Sequence, residues 1–204
     1  EGKLALGIAA LPGDRPALWC SRVVNCDAGL RQLSLSPIPR HPPSFRHALM
    51  QNLVQGNTLI LNRPAYDLVA AAHAEAGSVV MHDWWIYQLI SGAGGLVIYD
   101  PTPSLLYRQH DANLVGANQR LRSRLGGLQR MLNGTYRGWS RTNLAALQAS
   151  QHRLTPENRT LLQDFAGLQD GLATRVKAMR RGGFFRQGRV SQLALWLAVL
   201  MGRS

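Results

Sequence analysis

Val79-Val80-Met81-His82-Asp83-Trp84-Trp85-Ile86-Tyr87-Gln88-Leu89-Ile90 decides how the rest of this chain is read. An apolar run ends there, a helix begins, and one carboxylate lies between a histidine and two tryptophans. Ser78 to Met81 reads as a short buried strand. The helix that follows from Trp84 shows Trp85, Ile86, Leu89 and Ile90 on one face. Two readings compete at Asp83. The first is a helix N-cap, in which the side-chain oxygen accepts from the free N–H groups of the first turn. The second is a base held where a substrate hydroxyl can reach it, which needs support from elsewhere in the chain.

Working outward, Lys3 to Leu11 reads as the end of a helix, and the abrupt start at Glu1 suggests a piece of a longer protein. Leu11-Pro12-Gly13-Asp14-Arg15-Pro16 is a turn, and Ala17 to Val24 is a strand ended by Asn25-Cys26-Asp27-Ala28-Gly29. Four prolines between residues 34 and 43 imply an exposed loop. Phe45 to Leu53 suits a short helix and Asn57 to Leu61 a strand. Asn62 and Pro64 then start a helix that stops at Gly77. After Gly92-Ala93-Gly94-Gly95, Leu96 to Tyr99 is a strand, and Asp100-Pro101-Thr102-Pro103 bends the chain before Leu105 to His110. Strands alternating with helices over residues 17–110 predict an α/β sheet packed by helices. Cys20 and Cys26, the two cysteines, lack neighbouring histidines at zinc spacing, and the reading favours reduced thiols.

Beyond Asn118 the pattern is helical only. Thr155-Pro156-Glu157 opens one amphipathic helix whose apolar positions run Leu161, Phe165, Leu168, Leu172, Val176 and Met179. Gly182-Gly183 ends it. A last helix from about Val190 carries Leu193-Ala194-Leu195-Trp196-Leu197-Ala198-Val199-Leu200-Met201. That run is too short for a bilayer span of roughly 20 residues, so it is either a core helix or an interfacial one. The chain carries a net charge of +12, and residues 118–204 hold all of it, with fifteen basic groups against three acidic ones. Residues 1–117 balance eight against eight. A neutral front and a cationic tail point to an anionic partner.

Three segments then carry a family likeness: Asn52-Leu53-Val54-Gln55-Gly56-Asn57-Thr58-Leu59-Ile60-Leu61-Asn62-Arg63, Met81-His82-Asp83-Trp84-Trp85, and Leu106-Tyr107-Arg108-Gln109-His110 with Asn113-Leu114-Val115-Gly116-Ala117. In their order and spacing, residues 15–118 resemble the second half of a family 2 glycosyltransferase of the bacterial rhamnosyltransferase-like group. The resemblance implies a partial GT-A, Rossmann-like sheet in residues 1–117, the acceptor side, followed by a basic helical extension in residues 118–204. It makes Asp83 the catalytic base of an inverting transfer from a nucleotide-sugar donor, such as one carrying rhamnose, to a glycan or lipid-linked acceptor in surface-polysaccharide synthesis. Gly56 and Asn57 match the family's glycine loop, where a missing side chain lets backbone approach a ligand. His82, Trp84, Trp85, Arg108 and Gln109 would line the substrate, with the two indoles facing opposite ways. Arg108 either pairs with the diphosphate or caps the sheet edge. His110 matches the histidine that contributes to the site of the divalent metal, Mg²⁺ or Mn²⁺, or of the diphosphate. Alone it would read as a surface histidine, but its place after Tyr107-Arg108-Gln109 favours the functional reading.

The departure is at the front. The family's nucleotide-binding loop and Asp-x-Asp metal motif do not occur in residues 1–204. Residues 1–204 alone are therefore expected to be inactive. The expected location is the inner face of the cytoplasmic membrane, reached peripherally through residues 118–204. The alternative is a non-catalytic basic helical module that binds an anionic membrane surface or nucleic acid. Nucleic acid is the weaker of those two, because no helix-turn-helix, zinc knuckle or aromatic-interleaved basic strand is present.

Overall fold

The computed structural model describes residues 2–108 and 134–203. The order of elements is α1 (Gly2–Ala10), β1 (Ala17–Cys26), β2 (Gln32–Leu35), α2 (Phe45–Ala48), β3 (Ile60–Leu61), α3 (Arg63–Ala76), α4 (His82–Gly92) and β4 (Leu96–Arg108). There follow α5 (Thr135–Ala149), α6 (Pro156–Ala166), α7 (Leu172–Gly182) and α8 (Arg189–Met201). The molecule is mixed α/β, as its alternating pattern predicts.

β1 is the central strand. β4 runs parallel to it from Ala17↔Leu96 to Cys26↔Arg108. β3 and β2 pair antiparallel with its two ends, at Leu18↔Leu61 and Val24↔Leu35. Since β4 occupies one edge of β1 along its whole length, β2 and β3 share the other. Ala17 to Ser21 are all buried, so both faces of the sheet are covered. Neighbouring residues on a strand point to opposite faces. Leu18 and Cys20 join the core formed with α2–α4, whereas Trp19 faces α1. Gly7 makes that second contact close, because a Cβ there would lie 2.4 Å from Ile60 Cδ1 and 3.2 Å from Trp19 Cε3.

Several sequence expectations are corrected. Ser78–Met81 is not a strand but a tight loop ending in Met81 with φ +56°. It is too short and too turned to pair with the sheet. The strand predicted over Asn57–Leu61 shrinks to Ile60–Leu61, since Thr58 closes a turn onto the Gln55 carbonyl. The bend at Asp100–Pro103 does not end the strand. β4 passes through it with register shifts opposite Ser21–Val24, and among the described residues it pairs only with β1, so its prolines sit on an edge strand. The proline-rich stretch is preceded by β2, which the sequence reading missed. Cys20 and Cys26 are free thiols on one strand, and burial pushes Cys20 up to about 12.

The amphipathic run from Thr155 is two helices. Its start is as expected, with Thr155 Oγ1 accepting from Asn158 N–H at 3.2 Å. A 3₁₀ turn at Gly167–Gln169 and an extended Gly171 (φ −67°, ψ 161°) then reverse the chain. Two glycines within five residues weaken the helix. The return packs Ala178 and Thr174 onto Gly167 and brings Arg181 Nε to 3.6 Å from Asp164 Oδ1. The apolar period continues across the break because Leu168 stays buried within it.

The helices of residues 134–203 fold back onto the front of the molecule. Leu144, Leu147, Leu161, Phe165, Met179, Phe184 and Leu195 share one apolar cluster with Phe45, Leu49, Trp85 and Leu89. Polar clamps complete the contact. Glu75 takes Arg153 and Ser150, and Gln187 Oε1 accepts from the N–H groups of Arg40 and His41 at 2.8 and 3.0 Å.

Candidate functional site

The loop from Gln51 to Thr58 and the start of α4 meet at one point. The loop is set by its own side chains. Asn52 Oδ1 accepts from Val54 N–H at 3.0 Å, and buried Thr58 donates to the Gln55 carbonyl at 2.9 Å. Between them Gly56 N–H donates to Asp83 Oδ2 at 3.0 Å. The other oxygen, Oδ1, accepts from Trp84 N–H at 2.8 Å. Asp83 is therefore not the N-cap. That position belongs to Met81, which offers no side-chain bond, and Asp83 lies in the first turn, where the helix dipole favours a negative charge.

The carboxylate is held by one backbone donor from each element and is half-buried. A carboxylate has about four lone-pair sites, so two donors fix its orientation and leave room for another. Beside it, His82 is exposed. The backbone approaches that imidazole so closely at Gly56 that a Cβ would lie 2.7 Å from His82 Nε2 and 3.6 Å from Asp83 Cβ. Gly56, His82 and Asp83 are thus brought together. Asn57 is exposed one residue on, and its carbonyl accepts from Lys3 Nζ at 2.6 Å.

The other expected residues are placed differently. Trp84 and Trp85 are both buried, so the expected outward-facing indole is not found. Trp84 Nε1–H donates to the Ala48 carbonyl at 2.6 Å, and its ring meets Trp139 edge-on at 6.5 Å. Two large aromatics opening a helix that is buried from Trp84 to Gly92 go where the apolar area is greatest. Arg108 is exposed at the far end of β4, opposite Cys26. Gln109 and His110 lie outside the described residues. Among the described residues no three His, Cys, Asp or Glu side chains converge. The described residues therefore do not assemble a set for Mg²⁺ or Mn²⁺.

A supporting layer went unseen in the sequence. Buried Asn143 on α5 clamps the Met81 loop from behind: its Oδ1 accepts from Val80 N–H at 2.8 Å, and its Nδ2 donates to the Val80 carbonyl at 3.4 Å. Tyr136 stacks edge-on with Trp139 at 5.1 Å, and the Arg186 guanidinium lies 5.0 Å over the Tyr136 ring. The Tyr136–Trp139 pair, one helical turn apart, was the available signal. Nothing local marks Asn143. A cleft lined by Ser44, Arg46, Ser91, Gly95 and Glu157 lies at the other end of α4, away from Asp83.

Comparisons with protein-family models, curated proteins and solved structures give no match to this chain.

Proposed function

We propose that this chain carries the acceptor side and the general base of an inverting glycosyltransferase of GT-A type, with Asp83 as the base. The observation that carries the reading is the Asp83 carboxylate, half-exposed, oriented by two backbone donors and left with free lone pairs beside an exposed imidazole. The family likeness over residues 15–118 supports it independently. In the reaction Asp83 takes the proton from an acceptor hydroxyl as that oxygen attacks the anomeric carbon. The new glycosidic bond forms while the sugar–phosphate bond breaks, and the nucleoside diphosphate leaves with the electron pair. His82, exposed next to Gly56, would contact the acceptor. The donor is a nucleotide-activated hexose or rhamnose, and the acceptor a glycan or lipid-linked glycan of a bacterial surface polysaccharide assembled at the cytoplasmic face.

The test is Asp83→Asn in the intact gene product, read by release of nucleoside diphosphate from a panel of nucleotide-sugars with a lipid-linked glycan acceptor. A base of this kind contributes about 10²–10⁴-fold, so turnover falls by that factor while the circular dichroism spectrum is unchanged. Turnover within threefold of the parent would reduce Asp83 to a staple between Gly56 and α4.

A further inference from the structure

α8 has two apolar faces, and only one is covered. Ala194, Leu195, Ala198 and Val199 are buried against the helical layer. Val190, Leu193, Leu197, Leu200 and Met201 are 46–73% exposed. At 100° per residue these five fall within an arc of about 100°. They form one continuous stripe along the helix and not a scatter of single exposed residues. α7 extends it. The Arg175 guanidinium donates to the Leu200 carbonyl at 3.2 Å, which brings the start of α7, with its exposed Leu172, to the C-terminal end of the stripe.

The helices that carry the stripe are cationic, with exposed Asp170 standing just before the start of α7. Residues 171–204 contain seven basic side chains and no acidic one. Arg189 is exposed immediately before Val190, and Lys177 and Arg180 are exposed on α7. Apolar stripes this large on a surface mark a contact, and a short amphipathic helix flanked by cations suits an interface of acyl chains beneath phosphates. No helix among the described residues is long and apolar enough to cross a membrane. The contact would therefore lie in the plane of the surface.

We infer that α8, with Leu172 and the surrounding basic residues, docks this protein onto an anionic lipid bilayer surface. Val190, Leu193, Leu197 and Leu200 enter the headgroup boundary, and Arg189 and Arg180 meet the phosphates. Duplex nucleic acid would satisfy the cations but leave the leucines in water. A second copy of the chain would cover the leucines but bring two cationic surfaces together. The inference does not depend on the transferase reading, because it uses none of the residues around Asp83.

The experiment is flotation of the full chain with vesicles of phosphatidylcholine alone and of phosphatidylcholine with 30% phosphatidylglycerol, alongside the Leu193→Gln/Leu197→Gln double variant. Both leucines are exposed, so the variant should fold, and circular dichroism checks that. Arg189→Glu is the second variant. The expected result is binding to anionic vesicles only, weakened at least tenfold by the leucine pair and about fivefold by Arg189→Glu. Three results would overturn the inference. One is anionic-vesicle binding that the leucine pair does not change. Another is a dimer by light scattering that the leucine pair dissociates, with no vesicle binding. The last is salt-sensitive binding to duplex DNA with no vesicle binding.

Discussion

α3 and α4 begin about twenty residues apart in the same layer, and they begin in opposite ways. α3 starts on Asn62, whose Oδ1 accepts from Ala65 N–H and from Ala17 N–H, each at 3.0 Å. Its Nδ2 donates to the carbonyls of Pro12 and Arg15. One amide thus caps a helix, holds the first residue of β1 and closes the turn before it. α4 starts on Met81 in a left-handed conformation with no side-chain cap, and its acid is turned toward a separate loop. The comparison teaches where this fold is optimised for stability and where it is not. A helix start that breaks the usual preferences while presenting a carboxylate is the place to look for chemistry.

The largest expected effect strips the well-made start. Asn62→Ala removes the cap and leaves the Ala17 N–H and two carbonyls without their partner, so urea unfolding should show a loss of about 3 kcal/mol. A loss below 1 kcal/mol would mean that the two starts are equivalent in energy and would break the comparison.

Acid tests the scaffold on which both helices rest. Burial pushes His47 down to about 4, with Arg186 adding to the effect, and its Nδ1 lies 3.1 Å from the Tyr87 hydroxyl. The folded protein therefore resists a proton that the unfolded chain accepts at 6.5. Its stability is full above pH 6.5 and declines as pH falls toward 4, by about 2–3 kcal/mol between pH 7 and 4.5. His47→Leu should flatten that part of the urea-midpoint profile. Glu75 acts lower. Its bonds to Arg153 and Ser150 hold it at about 2 against an ordinary 4.5. Its contribution is present above pH 4.5 and is lost as pH falls from there toward 2, a slope that Glu75→Gln should remove.

The smaller effects sharpen the ill-made start. Met81→Gly should raise stability by up to about 1 kcal/mol, since glycine tolerates φ +56° and methionine does not. A thermal melt that drops instead would mean that the Met81 side chain holds the loop through packing. Gly56→Ala is the subtlest. The Cβ would displace the exposed His82 ring, which can rotate away, so stability should shift by less than about 1 kcal/mol. Acceptor turnover, measured as for Asp83→Asn, should still fall, and an unchanged rate would remove His82 and Gly56 from the site.

The well-made start was legible and the other was not, for a physical reason. Asn62-Arg63-Pro64 and Thr155-Pro156 are local signals in which cap, proline and first turn are adjacent in sequence. The pairing of Gly56 with Asp83 was visible only as two separate motifs, because the bond joining them spans 27 residues. The loop at Ser78–Met81 was misread because Val79-Val80-Met81 is apolar and β-branched, which suits a strand equally well. Trp84 is closed over by Trp139 of α5, a contact that its own stretch does not mark, whereas Trp85 joins the main apolar cluster. Asn143 was invisible because its partner, the Val80 backbone, carries no side-chain signature. The split of the Thr155 run was marked by Gly167 and Gly171, but an unbroken apolar period outweighed them.

The clamp between Gln187 and residues Arg40 and His41 joins positions 146 and 147 apart, and Arg186 reaches back to the Met50 carbonyl across 136 residues. Such closures form late, because the entropy of joining distant segments must be met before their contacts can repay it. On the ribosome, the segment around His47 emerges long before the residues that cover it. Until Phe185, whose ring packs 5.3 Å from that of His47, has followed, that side of the segment stays open to water and to neighbouring nascent chains.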